Sequence, residues 1–455
     1  MTDQVRRSAL LTDLYELTMA AAYFQNEFQA TATFELFVRT LPPERGYLLA
    51  AGLEQALDYL EAFEFTSTEI DFLRRHPVFH EVKDDFFDYL RTVRFTGEVW
   101  AVPEGTPVFA EEPLLRVTAP ILEAQIVETF LLTTLTFQTL IATKAARVVE
   151  AAQGRGVVEF GGRRAHGPEA GVLAARAAYV GGCIGTSSVE AGFRFGIPTY
   201  GTVAHSYLMA CESEEEGFRH FQQVFPNHAV LLLDTYDTLA AVEKIIRSGL
   251  RPAGVRLDSG NLVELAQQVR RRLDEAGLSE TKIFASGDLN EYLISEALAR
   301  GAPVDFFGVG TELATSKDAP ALGGVYKLVE VDGGQGRDYR AKLSEDKVTY
   351  PGSKQVFRFR DSGGLYDHDV IGSAREDYAE GEKLLTCVLR EGRRTAPSPP
   401  LETIRGRART LLAQLPARYR QLRKPPPYPV RLSPALKALL ADVRQKVLQP
   451  AQKKV

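Results

Sequence analysis

The stretch GVRLDSGNLVELAQQVRRRLDEAGLSETKIFASGDLN, residues 254–290, decides the fold. It opens on an apolar run that ends at Asp258-Ser259-Gly260 and continues as a helical pattern. It closes on a second apolar run that ends at Ser286-Gly287-Asp288. A strand, a crossover helix and a parallel strand need about this length. The same rhythm recurs from residue 155 onward, at VVEF/GGRR, GGCIG/TSS, TYGTVA/HS, VLLL/DTYD and FFGV/GTE. With Glu159, Thr186, His205, Asp234, Asp258, Asp288 and Gly310 as markers, the spacings are 27, 19, 29, 24, 30 and 22 residues. Seven such units predict an α/β fold, an irregular seven-stranded β/α barrel, with an open doubly wound sheet as the alternative. Either arrangement puts its active site at the carboxyl ends of the strands. Every junction above places polar groups on that face.

Outside this region the patterning changes. LLTDLYELTMAAAYFQN (residues 10–26) is amphipathic and helical, and ATATFELFVRTL (residues 30–41) has the β-branched and aromatic residues of a strand. Helical patterns follow over residues 66–75 and 80–93. Short strands are then broken at Pro103-Glu104-Gly105 and Glu111-Glu112-Pro113, and a long apolar helix pattern runs over residues 122–152. After residue 330, short strands return in VYKLVEV, YRAKLS and KQVFRFR, ahead of an Arg-rich helical segment, the extended RKPPPYPVR and a basic tail. The predicted organisation is an N-terminal α+β part over 1–120 with its helix reaching about residue 152, a catalytic β/α region over 153–325, and a C-terminal part over 326–455.

Composition narrows the function. The 455 residues are 45% hydrophobic and 25% charged, with a formal net charge of −5, which argues against a nucleic-acid partner. No window reaches the ~20 apolar residues of a membrane span, and the start lacks the pattern of a secretory signal. Cys183, Cys211 and Cys387 are too scattered for a disulfide framework or a zinc knuckle. The expectation is a cytoplasmic protein with no membrane partner.

Asp234, Asp258 and Asp288 each end an apolar run just before a helix, so each could be an N-cap. Three carboxylates on one face repel one another unless a cation or a polyhydroxylated ligand lies between them, which points to a ligand site. FFGVGTELA offers Gly308, Gly310 and Thr311 before a helix, a turn suited to phosphate. EFGGRRAHG supplies Phe160, Arg163 and Arg164, whose guanidinium groups suit a carboxylate or a phosphate, and His166 reads as solvated or capping. His205 in GTVAHSYLMA follows a short apolar run, and neither His nor Cys stands at ligand spacing from it, so a metal site is not predicted there. Base and nucleophile both stay open for it. These residues together predict an enzyme acting on a sugar phosphate.

LLTDLYELTMAAAY, EFGGRRAHG, GTSSVEAGFRFGIPTYGTVAHS, VRLDSGNL, SGDLNEY, FGVGTELATS and YPGSKQVFR resemble, in order, the nicotinate phosphoribosyltransferase family. The resemblance implies a type II phosphoribosyltransferase, an α/β barrel with a second α+β domain in which the C-terminal part packs with the N-terminal one, that makes nicotinate mononucleotide and pyrophosphate from nicotinate and phosphoribosyl pyrophosphate in NAD salvage. It also implies coupling to ATP hydrolysis through a phosphohistidine, a need for Mg²⁺, and a homodimer with shared active sites. It assigns the phosphorylated histidine to His205 and the carboxylate that holds its ring to Asp234. Phe160 and the partner subunit's Tyr15 would sandwich the pyridine, with Arg163 and Arg256 lining the pyridine and phosphoribosyl site. Asp258 would hold the ribose hydroxyls, and Gly287, Asp288, Gly308, Gly310 and Thr311 would cradle phosphate. Ser187 stands where the related nicotinamide enzyme has an aspartate, which favours the acid over the amide. Gly162 stands where relatives often carry a larger residue, and Lys354 lies in a basic motif whose role stays open, with ordinary surface charge as the plain alternative.

Overall fold

The computed structural model describes residues 8–344 and 347–448, so part of the basic tail, residues 449–455, lies outside it. The chain forms two compact units: residues 1–139, 321–400 and 410–455 in one, and residues 140–320 with 401–409 in the other. The first boundary falls inside the helix Glu128–Ala151 rather than after it, and residues 401–409 join the unit of residues 140–320. That short return is tied by Glu402, which accepts from the Tyr179 hydroxyl at 2.6 Å.

The first unit interleaves both ends of the chain. Its larger sheet sets Thr31–Val38 between Pro113–Pro120 and Gly324–Asp332, all antiparallel. Glu98–Ala101, Thr386–Arg390 and Arg393–Arg394 extend one side, and Arg337–Tyr339 the other. YRAKLS therefore contributes only its first residue to a strand. The long helix pattern is broken at Val127 into Ile121–Ile126 and Glu128–Ala151. Seven of the eight residues of Thr31–Val38 are buried, including Glu35. That carboxylate is paired with Lys354 at 2.7 Å. Lys354 is therefore a buried structural ion pair, not surface charge, and its Nζ also donates to the Tyr350 and Gly352 carbonyls.

A second buried charge group sits in the smaller sheet, where Lys354–Arg360 pairs with Tyr366–Ser373. Arg358 holds Asp369 in a bidentate bridge, with the shortest contact 2.6 Å, and the Tyr428 hydroxyl donates to the same carboxylate. Burial and the facing Asp369 carboxylate push Glu112 well above the ordinary carboxylate range. Its Oε2 accepts from the Phe109 N–H, and its Oε1 is buried without a hydrogen-bond partner among the described residues. The folded state binds the Glu112 proton more tightly than the unfolded chain. The stability it contributes is therefore complete below the unfolded carboxyl value and is lost as pH rises toward the folded one. Glu112→Gln should melt at or above wild type near pH 7, with the gap in Tm widening from pH 5 to pH 8. A Tm gap that narrows as pH rises would contradict this.

The second unit is built on six parallel strands: β1 (Gly156–Glu159), β2 (Gly185–Thr186), β3 (Val230–Leu232), β4 (Gly254–Leu257), β5 (Lys282–Ala285) and β6 (Phe306–Val309). Their order is β2-β1-β6-β5-β4-β3. β1, β3 and β6, with their apolar runs, are wholly or largely buried, as suits a parallel sheet covered on both faces. The seventh expected strand, TYGTVA, does not form. The chain makes one parallel bridge, Thr186 to Thr199, and leaves the ladder at Gly201. Pro198 has no N–H to donate and β2 is only two residues long, so there is little ladder to extend. Among the described residues no helix is long and apolar enough to cross a membrane.

Candidate active site

The carboxyl ends of the parallel strands lead into helices whose caps are other residues than the three aspartates. Asp237 caps Thr238–Arg247, Asn261 caps Leu262–Glu275 and Asn290 caps Glu291–Ala299. Asp234, Asp258 and Asp288 are thereby left for other partners.

Two of them form one network. Arg256, on β4, donates to Asp258 Oδ1 at 2.6 Å, to Ser286 Oγ at 2.8 Å and to Thr202 Oγ1 at 2.8 Å. Ser286 in turn donates to Asp258 Oδ1 at 2.5 Å. Burial raises the Asp258 carboxyl, but the Ser286 and Arg256 hydrogen bonds and the guanidinium charge outweigh it and hold the group below its ordinary value. Asp258 is thus a fixed anion. Its backbone N–H donates to Asp234 Oδ2 at 3.2 Å, and the Ser259 hydroxyl donates to the same oxygen. Asp234 Oδ1 is buried without a hydrogen-bond partner and faces His205 Nε2 at 3.5 Å. That distance is long for a formed bond. His205 opens the helix His205–Ala210, with its side chain 42% exposed.

Glu159, at the end of β1, organises the other wall. Its buried carboxylate accepts from Thr186 Oγ1 at 2.6 Å and from the Gly161 N–H, while its carbonyl accepts from the Ser187 N–H at 2.9 Å. Burial raises this carboxyl, and the two hydrogen bonds oppose the rise. Phe160 follows, its ring centroid 5.8 Å from the Arg256 guanidinium. A Cβ on Gly308 would lie 2.5 Å from that ring, so Gly308 makes room for Phe160. Gly287 has φ +91°, and a Cβ there would collide with the Asp258 carbonyl oxygen. Nothing lies within 4 Å of a Cβ built on Gly162.

Phe160, Arg163, Ser187, His205, Arg256 and Asp258 line one cavity of about 460 Å³. Arg163 is exposed and has no hydrogen-bond or ion-pair partner among the described residues, as suits a group awaiting an anion. A second cavity of about 270 Å³ shares Asp258 and reaches Ser286 and Gly287. Asp234 lines neither cavity and faces His205. Asp288, exposed with φ +41°, and Gly308, Gly310 and Thr311 line neither cavity. Gly310 precedes a helix of only four residues, Thr311–Ala314. Tyr15 belongs to the other unit, on the helix Leu14–Gln25, and is 50% exposed. Arg164 and His166 are exposed. The sequence reading passed over Tyr200, Thr202, Ser259 and Ser286. Ser286 precedes Gly287-Asp288, and only the pairing of β4 with β5 shows that it bridges Arg256 and Asp258.

Residues 10–136 match the nicotinate phosphoribosyltransferase (NAPRTase) N-terminal domain, residues 141–320 the quinolinate phosphoribosyl transferase C-terminal domain, and residues 376–440 the nicotinate phosphoribosyltransferase C-terminal domain. Nicotinate phosphoribosyltransferase pncB2 of Mycobacterium tuberculosis is 46% identical, over 96% of this chain and 94% of its own length. The chain belongs to the nicotinate phosphoribosyltransferase family. The Bacillus subtilis nicotinate phosphoribosyltransferase is 39% identical over 93% of each chain. The crystal structure of human nicotinic acid phosphoribosyltransferase superposes with a TM-score of 0.83 at 31% identity, covering 95% of this chain and 99% of that one. The cavity beside Arg256 and Asp258 lies wholly within the region that matches the quinolinate phosphoribosyl transferase C-terminal domain.

Proposed function

We propose that the chain is a cytoplasmic nicotinate phosphoribosyltransferase of NAD salvage, converting nicotinate and phosphoribosyl pyrophosphate to nicotinate mononucleotide and pyrophosphate. The observation that carries this reading is the shared cavity. A flat aromatic face, Phe160, and an unpaired guanidinium, Arg163, line the same cavity as the fixed Asp258 anion and Arg256. A pyridine carboxylate fits the first pair, and a ribose that gains positive charge fits the second.

In this reading the ring nitrogen displaces pyrophosphate at the anomeric carbon, and Asp258 stabilises the cation-like transition state while holding the ribose hydroxyls. Asp288 and the free oxygen of Asp258 suit Mg²⁺, which takes one or two carboxylates and completes its shell with substrate phosphates and water. When bound, Mg²⁺ offsets charge on the leaving pyrophosphate. His205 is read as the nucleophile toward ATP. Its Nε2 faces Asp234, which leaves Nδ1 as the atom to accept the γ-phosphoryl group. Phosphorylation adds negative charge beside Arg256 and Asp258, and so shifts the affinities for substrate and product.

We further infer that the six-stranded sheet curls into a barrel. The segment bridged to β2 at Thr199 continues to Thr202 and His205, which reach Arg256 and Asp234 at the ends of β4 and β3 on the opposite edge. A homodimer with shared sites is supported by large exposed apolar side chains, Phe193 at 86% and Met209 at 66%, and would bring the partner subunit's Tyr15 against the pyridine.

Ser187 sets the choice of pyridine. Its hydroxyl can donate to a carboxylate, whereas an aspartate there would repel one. Assays with nicotinate, nicotinamide and quinolinate, with and without ATP and chelator, test the proposal on the purified dimer. Nicotinate should be the best substrate. Ser187→Asp should lower kcat/KM for nicotinate by about 100-fold or more, with little loss for nicotinamide. A wild type that prefers nicotinamide or quinolinate overturns the reading.

A further inference from the structure

The turn over residues 286–290 and the turn at Gly310 follow the neighbouring strands β5 and β6. Each leads into a helix whose early acidic residue turns toward one lysine. Lys144, on the helix Glu128–Ala151, lies 2.6 Å from Glu291, 2.9 Å from Asp318 and 3.9 Å from Glu312. The side chains of Lys144 and Glu291 are completely buried. Arg147, one turn along the same helix, binds the other Glu291 oxygen at 3.0 Å and donates to the Tyr292 hydroxyl at 3.0 Å. Lys317 holds Glu312 from outside at 3.2 Å.

Burying such a cluster costs several kcal/mol per ion before pairing, and apolar side chains of similar volume generally stabilise a fold at least as well. What ions do better is specify geometry, because each oxygen accepts in few directions. Glu291 comes three residues after Asp288, and Glu312 directly after Thr311. Lys144 donates a formed hydrogen bond to Asp318 and holds Glu291 and Glu312 by charge, so one ammonium group draws on the starts of both helices. We propose that Lys144 is a positioning residue that sets the distance between the two loops, and thereby their grip on the phosphate groups of the phosphoribosyl substrate. This rests on the phosphate reading of those loops.

Kinetics and thermal unfolding of Lys144→Met and of Lys144→Met/Glu291→Gln test it; the double variant also removes the buried Glu291 charge, which Arg147 alone would otherwise offset. The expected result is a rise of about tenfold or more in KM for phosphoribosyl pyrophosphate, with KM for nicotinate within about twofold of wild type. A folded double variant with an unchanged KM for phosphoribosyl pyrophosphate, or with both KM values raised equally, overturns the proposal. If neither variant folds, Lys144→Arg, which keeps the charge and changes the reach, is judged by the same two outcomes. Thr311→Val reads the phosphate assignment separately. An unchanged KM there overturns that assignment and the proposal with it. A raised KM there, with wild-type behaviour in the Lys144 variants, overturns the positioning role alone.

Discussion

Asp258→Asn is expected to lower kcat/KM by about a thousandfold, with a modest fall in melting temperature because the anion paired with Arg256 also stabilises the fold. The carboxylate is held as an anion by Arg256 and Ser286, so its charge is present at any working pH. Asparagine keeps the size and one acceptor oxygen but removes the charge that a cation-like transition state draws on. Preorganised electrostatic groups of this kind contribute about 10²–10³ in rate. The loss should fall mainly in kcat, because the charge counts for more in the transition state than in the ground state. Steady-state kinetics with both substrates varied would read this split. A drop of less than tenfold would remove Asp258 from the ribose site.

His205→Ala is expected to abolish acid-labile labelling of the protein by γ-labelled ATP and to remove any stimulation of turnover by ATP. Transfer without ATP should persist, since the pyridine and phosphoribosyl contacts assigned to Phe160, Arg163, Arg256 and Asp258 stay in place. Asp234→Asn should reduce labelling less severely, because the ring loses its facing carboxylate but keeps its place at the helix start. Label that survives in His205→Ala would put the phosphoryl acceptor elsewhere. An absence of label in wild type would end the phosphohistidine reading.

Parallel strands separated by crossover helices were readable from spacing alone, because each apolar run ends in a polar turn that the sheet places on one face. The missing strand at TYGTVA was not readable. Its composition suits a strand, but a ladder needs a neighbour of sufficient length, and β2 supplies two residues. For the same reason the buried pairing of Lys354 with Glu35 was invisible, since the two lie 319 positions apart and meet only across folded strands. Candidate site residues at strand ends were legible from residue type. Their partners were not, because Ser286, Thr202 and Ser259 become part of the network only through the register of β4 against β5 and the return of the chain before His205.

The glycines around the cavity differ in a way that bears on redesign of the enzyme. Gly287 and Gly308 are hemmed in by the Asp258 carbonyl and the Phe160 ring, so any side chain there would disturb groups that the proposed chemistry uses. Gly162 faces empty space at the rim of the same cavity, beside Arg163. It is the place where the mouth can be narrowed one methyl group at a time, altering which ring substituents are admitted while the catalytic frame stays as it is.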